Sequence, residues 1–204
     1  MNQPPLPLLE APAPSKDPIS LHAPVWWGNT LTIMIEGAGF AILVITYFYI
    51  RRGFPSWPPA GTLLPDLGAS TANAAILVVS ILPMWYAVKL AAAREPTRVI
   101  AILLLGCAAF GITASVFRVL EFSGVNTRWN SSAYGAIVWS ILAVHFAHIL
   151  AVTLETLLIG ILLLTRPIEE RRYADISANA IYWYFVALSW VALYVIVFLA
   201  PRFL

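Results

Sequence analysis

Six titratable side chains lie within long apolar stretches of this 204-residue chain: Glu36, Arg118, Glu121, His145, His148 and Glu155. A charge near the centre of a bilayer costs at least ~2.5–3.5 kcal/mol, so each of these residues needs a physical reason to be there. Carboxyl and imidazole groups can exchange protons, and imidazole does so near neutral pH. The pattern therefore indicates either a route for protons within a membrane or a set of polar contacts between helices.

The first of these residues, Glu36, lies ten residues into its apolar stretch. At about 1.5 Å per helical residue this depth is roughly 15 Å, close to the bilayer midplane. Gly37 and Gly39 beside it would let a neighbouring helix approach closely. We expect a neutral carboxyl, which either pins two helices together through hydrogen bonds or takes up and relays a proton.

Three further residues, His145, His148 and Glu155, form a stripe. The histidines are three residues apart and Glu155 follows seven residues later, so all three share one helix face. Such a stripe could gather protons, and the alternative is a series of hydrogen bonds between helices. Arg118 and Glu121 are also three residues apart, which predicts a structural ion pair at the membrane surface, where their helix ends.

The histidines do not indicate a haem or metal site. Two histidines on one face of one helix cannot bind an iron from opposite sides, and no histidine on another span supplies a second axial ligand. The single cysteine, Cys107, excludes disulfide frameworks and cysteine-based metal clusters. A metal site made of one histidine with Glu36 or Glu121 is conceivable but disfavoured, so we predict no metal and no cofactor bound by this chain itself.

The elements that carry these residues follow from composition. Hydrophobic residues make up 60% of the chain and charged residues 11%, with a mean hydropathy of +0.82, whereas soluble domains are about 25% charged. The sequence therefore predicts an all-α integral membrane protein, because lipid offers no partners to backbone polar groups outside helices. Five stretches are long enough to span a bilayer, at about residues 26–50, 69–90, 99–119, 134–164 and 178–200.

The ends of the chain can also be interpreted. Residues 1–25 contain seven of the 15 prolines, which predicts an extended tail ahead of a membrane domain at residues 26–204. With the N-terminus in the cytoplasm, seven Lys and Arg residues of the tail and loops face inward and four face outward. The positive-inside rule therefore predicts a cytoplasmic N-terminus and a periplasmic C-terminus.

Five motifs, in the same order along the chain, resemble subunit III of the haem–copper respiratory oxidases, in the short five-helix bacterial form. They are Trp26-Trp27-Gly28 followed by Glu36, the loop Trp57-Pro58-Pro59-Ala60-Gly61, Glu121-Phe122, Tyr134-Gly135 followed by His145 and His148, and Tyr182-Trp183-Tyr184-Phe185-Val186 followed by Trp190. Four positions depart from the family pattern. Tyr184 and Ala187 replace its last-helix His and Asp, Arg118 stands where Gln or Glu is common, and Glu155 replaces an apolar residue.

The resemblance implies an accessory subunit of a bacterial inner-membrane terminal oxidase, which reduces O2 to water and pumps protons. Such a subunit carries no redox centre and packs beside catalytic subunit I, which holds the haems and a copper, with subunit II in the same complex. It binds phospholipid and supports proton uptake, while the electron donor, cytochrome c or quinol, stays open. The alternatives are the related accessory protein of a bacterial nitric oxide reductase and a small proton-linked transporter.

The resemblance also implies a lipid-filled cleft, which we expect between the first two spans and the last three. Three basic residues, Lys89, Arg94 and Arg98, are predicted to lie at its inner side. Each could contribute about 1 kcal/mol to binding an anionic head group near a charged membrane surface.

Overall fold

The computed structural model describes residues 24–165 and 170–203 as a set of long helices. The helices are α1 (Pro24–Arg51), α2 (Leu67–Ala92), α3 (Thr97–Gly124), α4 (Ala133–Thr165) and α5 (Glu170–Tyr194). A π-helical turn at Val195–Leu199 and a 3-10 turn at Ala200–Arg202 continue α5. All five helices are long and apolar enough to cross a membrane, and the described residues contain no strand. The predicted five-helix, all-α architecture is thereby confirmed.

Two helices extend at one end by five residues or more beyond the bounds that hydropathy predicted. α3 continues five residues past the predicted end at 119, and α5 begins eight residues before the predicted start at 178. Both extensions contain polar residues that are compatible with a helix but lower its hydropathy. The Pro-rich tail predicted for residues 1–25 falls almost entirely outside the described residues. Lys16 and Arg166, two of the seven cations expected to face inward, also lie outside them.

Four of the helices form a closed bundle, and the first helix lies outside it. α3 packs along both α2 and α4, and each of these two also contacts α5. α1 packs against α4 and α5, and only 11% of its most apolar window is buried, compared with 28–39% for the other helices. The predicted separation of the first two spans from the last three is therefore wrong, because α2 belongs to the four-helix bundle.

Small residues allow α3 and α4 to approach closely. A Cβ at Gly111 of α3 would collide with the side chain of Thr153, and a Cβ at Gly160 of α4 would lie 3.0 Å from Cδ2 of Leu105. Because the side chain of glycine is a single hydrogen, the backbones of α3 and α4 can approach closely at these crossings. The van der Waals packing that results is a major source of attraction between helices in lipid.

The two ends of the bundle differ. One end, the turn end, carries the short α2–α3 connection at residues 93–96, and the other, the loop end, carries residues 52–66 and 125–132. At the loop end the buried Trp57 donates from Nε1 to the Tyr47 hydroxyl at 2.6 Å, and its ring meets that of Tyr134 edge-on at 4.8 Å. Arg202 also donates to the Pro65 carbonyl at 2.5 Å. These contacts attach the first loop to α1, α4 and the C-terminus.

The close approach of α3 and α4 generates a stability prediction. Gly111→Ala should lower the free energy of unfolding by about 1–3 kcal/mol, because the added methyl group overpacks the contact with Thr153. The matched variant Gly106→Ala lies on the same helix, where a Cβ meets nothing within 4 Å. This variant should be neutral or up to about 1 kcal/mol more stable, since alanine favours helix over glycine. Thermal unfolding in detergent, followed by circular dichroism, would compare them, and equal effects would contradict the packing argument.

Candidate functional site

A buried ion pair lies in α3 toward the loop end. Arg118 and Glu121, one helical turn apart, are 0% and 1% exposed, and Nη1 of Arg118 donates to Oε2 of Glu121. The other carboxylate oxygen accepts a hydrogen bond of 2.8 Å from Nδ2 of Asn73 in α2. The pair was predicted at the membrane surface, whereas it lies inside the bundle with both carboxylate oxygens engaged.

The same guanidinium reaches two more helices. Its carbon lies 3.5 Å from the ring centroid of Trp190 in α5, a cation–π contact. Its Nη2 is 2.9 Å from Nδ1 of His145 in α4, and the imidazole in turn packs on Trp190 with ring centroids 4.9 Å apart. We call the set of Asn73, Arg118, Glu121, His145 and Trp190 the Arg118 cluster, and it joins α2, α3, α4 and α5.

The partners of His145 assign its tautomer. A guanidinium has only donors, so Nδ1 must accept from Arg118. Nε2 lies 2.9 Å from the Val186 carbonyl oxygen, so it must carry the proton and donate. His145 is therefore neutral in this arrangement, fully buried, and without a free lone pair to receive a proton.

The second histidine has the opposite arrangement. Nδ1 of His148 lies 2.6 Å from the Val144 carbonyl oxygen, so Nδ1 carries the proton. Nε2 is left facing Oε2 of Glu36 in α1 at 3.5 Å. Both side chains are partly accessible, at 15% for His148 and 26% for Glu36. An imidazole nitrogen that faces a carboxyl in this way can exchange a proton with it.

The third member of the stripe, Glu155, lies toward the turn end. Glu155 is exposed on α4 and interacts with Asn179 of α5, whose Oδ1 accepts a hydrogen bond of 2.9 Å from Thr156. Tyr182, one turn further along α5, interacts with Glu36 and lies close enough to Glu155 for a Coulombic interaction. The three side chains of the stripe therefore have different partners: His145 joins the Arg118 cluster, His148 faces Glu36, and Glu155 interacts with α5.

The three basic head-group candidates are exposed at the turn end. Nζ of Lys89 lies 4.7 Å from the ring of Trp85, and the guanidinium of Arg94 lies 4.2 Å from the ring of Tyr173. Arg98 lies in the first turn of α3. Among the described residues, no group of three or more His, Cys, Asp or Glu side chains could hold a metal ion.

Sequence reasoning missed the partners of the singled-out residues. Asn73 is a polar residue in an apolar span and could have been included on that ground. Tyr182 and Trp190 were identified only as members of the last motif. Their contacts with the site were not predicted, because aromatic residues are common at the ends of membrane helices. The pairing of Glu36 with His148 depends on α1 packing against α4, which hydropathy does not predict.

Comparison with known proteins covers nearly the whole chain. A family model described as cytochrome c oxidase subunit III matches residues 21–201. A cytochrome c oxidase subunit 3 from Synechocystis is 27% identical over 179 residues, which are 85% of this chain and 74% of the relative. A cytochrome c oxidase subunit 3 from Thermostichus vulcanus is 22% identical over 179 residues, or 86% of this chain and 87% of the relative.

The buried ion pair generates a second prediction. Arg118→Met alone should destabilise the protein by about 3–5 kcal/mol, because the charge of Glu121 is left buried without its partner. The double variant Arg118→Met/Glu121→Gln should be more stable than that single variant. The exposed Arg128 provides a control, since Arg128→Met should change stability by no more than about 0.5 kcal/mol. Thermal unfolding in detergent would measure all three, and a double variant less stable than Arg118→Met would oppose the charge argument.

Proposed function

Because the chain belongs to the cytochrome c oxidase subunit III family, we propose that it is an accessory subunit of a haem–copper terminal oxidase. It is a multi-pass bacterial membrane protein of the respiratory electron-transport chain. In the proposed complex it packs beside catalytic subunit I, with subunit II also present. Those partners would hold the haems and copper, and this chain would contribute no redox centre. The match to the family over residues 21–201 is the observation that supports this assignment.

Within that complex we assign proton uptake to Glu36, His148 and Glu155. The supporting observation is the 3.5 Å approach of His148 Nε2 to Glu36 Oε2, with Nδ1 held by the Val144 carbonyl oxygen. This imidazole can take a proton on Nε2 and return it to the carboxyl without rotating. Glu155, two turns nearer the turn end and exposed, would attract protons by its negative potential.

We assign a different role to His145, although it shares the stripe. Both of its ring nitrogens are engaged, by Arg118 and by the Val186 carbonyl oxygen. In our proposal it holds α4 to α3 and α5, and proton exchange ends one turn away at His148.

We propose further that the turn end faces the cytoplasm and binds phospholipid. Lys89, Arg94 and Arg98 are exposed there, and cytoplasmic ends of membrane helices are rich in Lys and Arg. Each cation would add about 1 kcal/mol to the attraction of an anionic head group. Their arrangement at the surface of one end supports a peripheral lipid site.

Affinity purification tests the assignment to an oxidase. A tag on this chain should recover a complex whose optical spectrum shows haem and whose metal content includes copper, and the complex should consume O2. The chain purified away from its partners should carry neither metal in stoichiometric amount. A complex that reduces nitric oxide and lacks copper would instead indicate a nitric oxide reductase, and recovery of the chain without partners would contradict an accessory role.

The proton-uptake proposal predicts a change in the pH profile of turnover. The triple variant Glu36→Gln/His148→Gln/Glu155→Gln should slow O2 consumption several-fold at alkaline pH and leave it nearly intact at acidic pH. The reason is that bulk protons become scarce as the pH rises, so collection by titratable groups limits the rate only there.

The exposed Glu95 at the turn end provides the matched control, and Glu95→Gln should leave the profile unchanged. Turnover would be followed with an oxygen electrode, with subunit content checked by gel. An unchanged profile with the triple variant still bound, or an equal loss at every pH with the subunit missing, would make these residues structural.

A further inference from the structure

Titratable and polar side chains follow one another along much of the length of the bundle. Asp175 and Glu155 lie nearest the turn end, where Asp175 is close enough to act electrostatically on Glu155. Glu36 and His148 follow about midway, and the Arg118 cluster comes next. The last carboxylate, Glu121, is three residues from the end of α3 at the loop end. An unbroken chain of such groups would let protons cross a membrane that must hold a proton gradient.

This series of titratable groups is interrupted between His148 and His145. These imidazoles are one turn apart on α4, but His148 presents Nε2 to Glu36, whereas His145 presents Nδ1 to Arg118. The ring of Phe40 packs on both, with centroid distances of 4.9 Å to His148 and 5.9 Å to His145. Both ring nitrogens of His145 are engaged, by Arg118 and by the Val186 carbonyl oxygen, and neither pairs with Glu36 or His148.

Arg118 opposes protonation of His145 in two ways. Its N–H occupies the Nδ1 lone pair at 2.9 Å, so a proton could enter only after that hydrogen bond breaks. The resulting imidazolium would then lie beside a guanidinium that stays charged at any pH relevant to a protein. Two charged or titratable side chains act on His145 electrostatically, Arg118 and His148. Glu121 is the ion-pair partner of Arg118. α5 contributes the Val186 carbonyl and Trp190, and α1 contributes Phe40.

We propose that Arg118 is a fixed positive charge that prevents protons from passing through this subunit between the Glu36–His148 pair and the loop end. A permanently charged arginine beside a constriction is an established physical means of excluding protons. The proposal goes beyond uptake, since a barrier is needed whether or not Glu36 and His148 deliver protons to a partner.

Passive proton entry into liposomes tests the barrier without turnover. The purified complex would be placed in vesicles of phosphatidylcholine and phosphatidylglycerol, and a potassium diffusion potential would drive protons past an internal pH dye. The charge-balanced variant Arg118→Gln/Glu121→Gln should raise the rate of entry by about tenfold. That size follows because a neighbouring like charge suppresses protonation by about tenfold or more.

The matched variant adds His145→Leu to the same pair of substitutions. It removes the group that would receive the proton, so the entry rate should return to that of the unmodified complex. A leak that persists with His145→Leu would show loosened packing instead of passage through the imidazole, and would overturn the proposal. The absence of any leak in an assembled Arg118→Gln/Glu121→Gln complex would overturn it as well.

A measurement on the unmodified complex covers the case in which the variants fail to assemble. Exchange of the imidazole C2 hydrogen with D2O, resolved by mass spectrometry, reports whether each histidine titrates. The exchange rate at His145 should show no sigmoidal dependence on pH, because both of its ring nitrogens are engaged. A sigmoid at His145 would overturn the barrier. None of these results depends on turnover, so the barrier and the uptake proposal can fail separately.

Discussion

The side chain of Arg118 is the contact on which the interior of the bundle depends. Hydrocarbon supplies no hydrogen-bond partners, so a guanidinium placed there must find all of its partners within the protein. It finds the Glu121 carboxylate in its own helix, the His145 imidazole in α4 and the face of Trp190 in α5. Asn73 extends the set to α2 through the same carboxylate. Because these contacts require one relative placement of four helices, they specify a bundle that apolar packing alone would leave free to slide.

The two histidines show how surroundings give one residue type two chemistries. One turn of α4 separates them, and each uses one nitrogen to donate to a backbone carbonyl. The difference lies in what meets the other nitrogen, which is a guanidinium at His145 and a carboxyl at His148. A guanidinium occupies the lone pair and repels a second positive charge, whereas a carboxyl can give a proton up and stabilise the imidazolium that forms. In our proposal, therefore, only His148 exchanges protons.

Hydropathy predicted the number of helices because a span needs about 20 apolar residues whatever its neighbours are. It could not predict which helices touch, since lipid-facing and core-facing side chains are equally apolar. Met34 on α1 is 65% exposed and Met84 on α2 is fully buried, although the sequence does not distinguish them. Spacing correctly indicated that Arg118 and Glu121 could reach each other. Their depth in the bundle was predicted wrongly, because hydropathy ended α3 at residue 119 and the helix continues to Gly124.

The last helix illustrates why the Arg118 cluster needs no further charge. Ala187 stands where the family resemblance would place a carboxylate, and it is almost fully buried. A second carboxylate there would leave the interior with one buried anion more than it has cations, because Arg118 already pairs with Glu121. An unpaired buried charge is far more costly than a paired one. α5 instead meets the cluster through a backbone carbonyl and the face of Trp190. Both hold the arginine and histidine in place without adding a group that can exchange a proton.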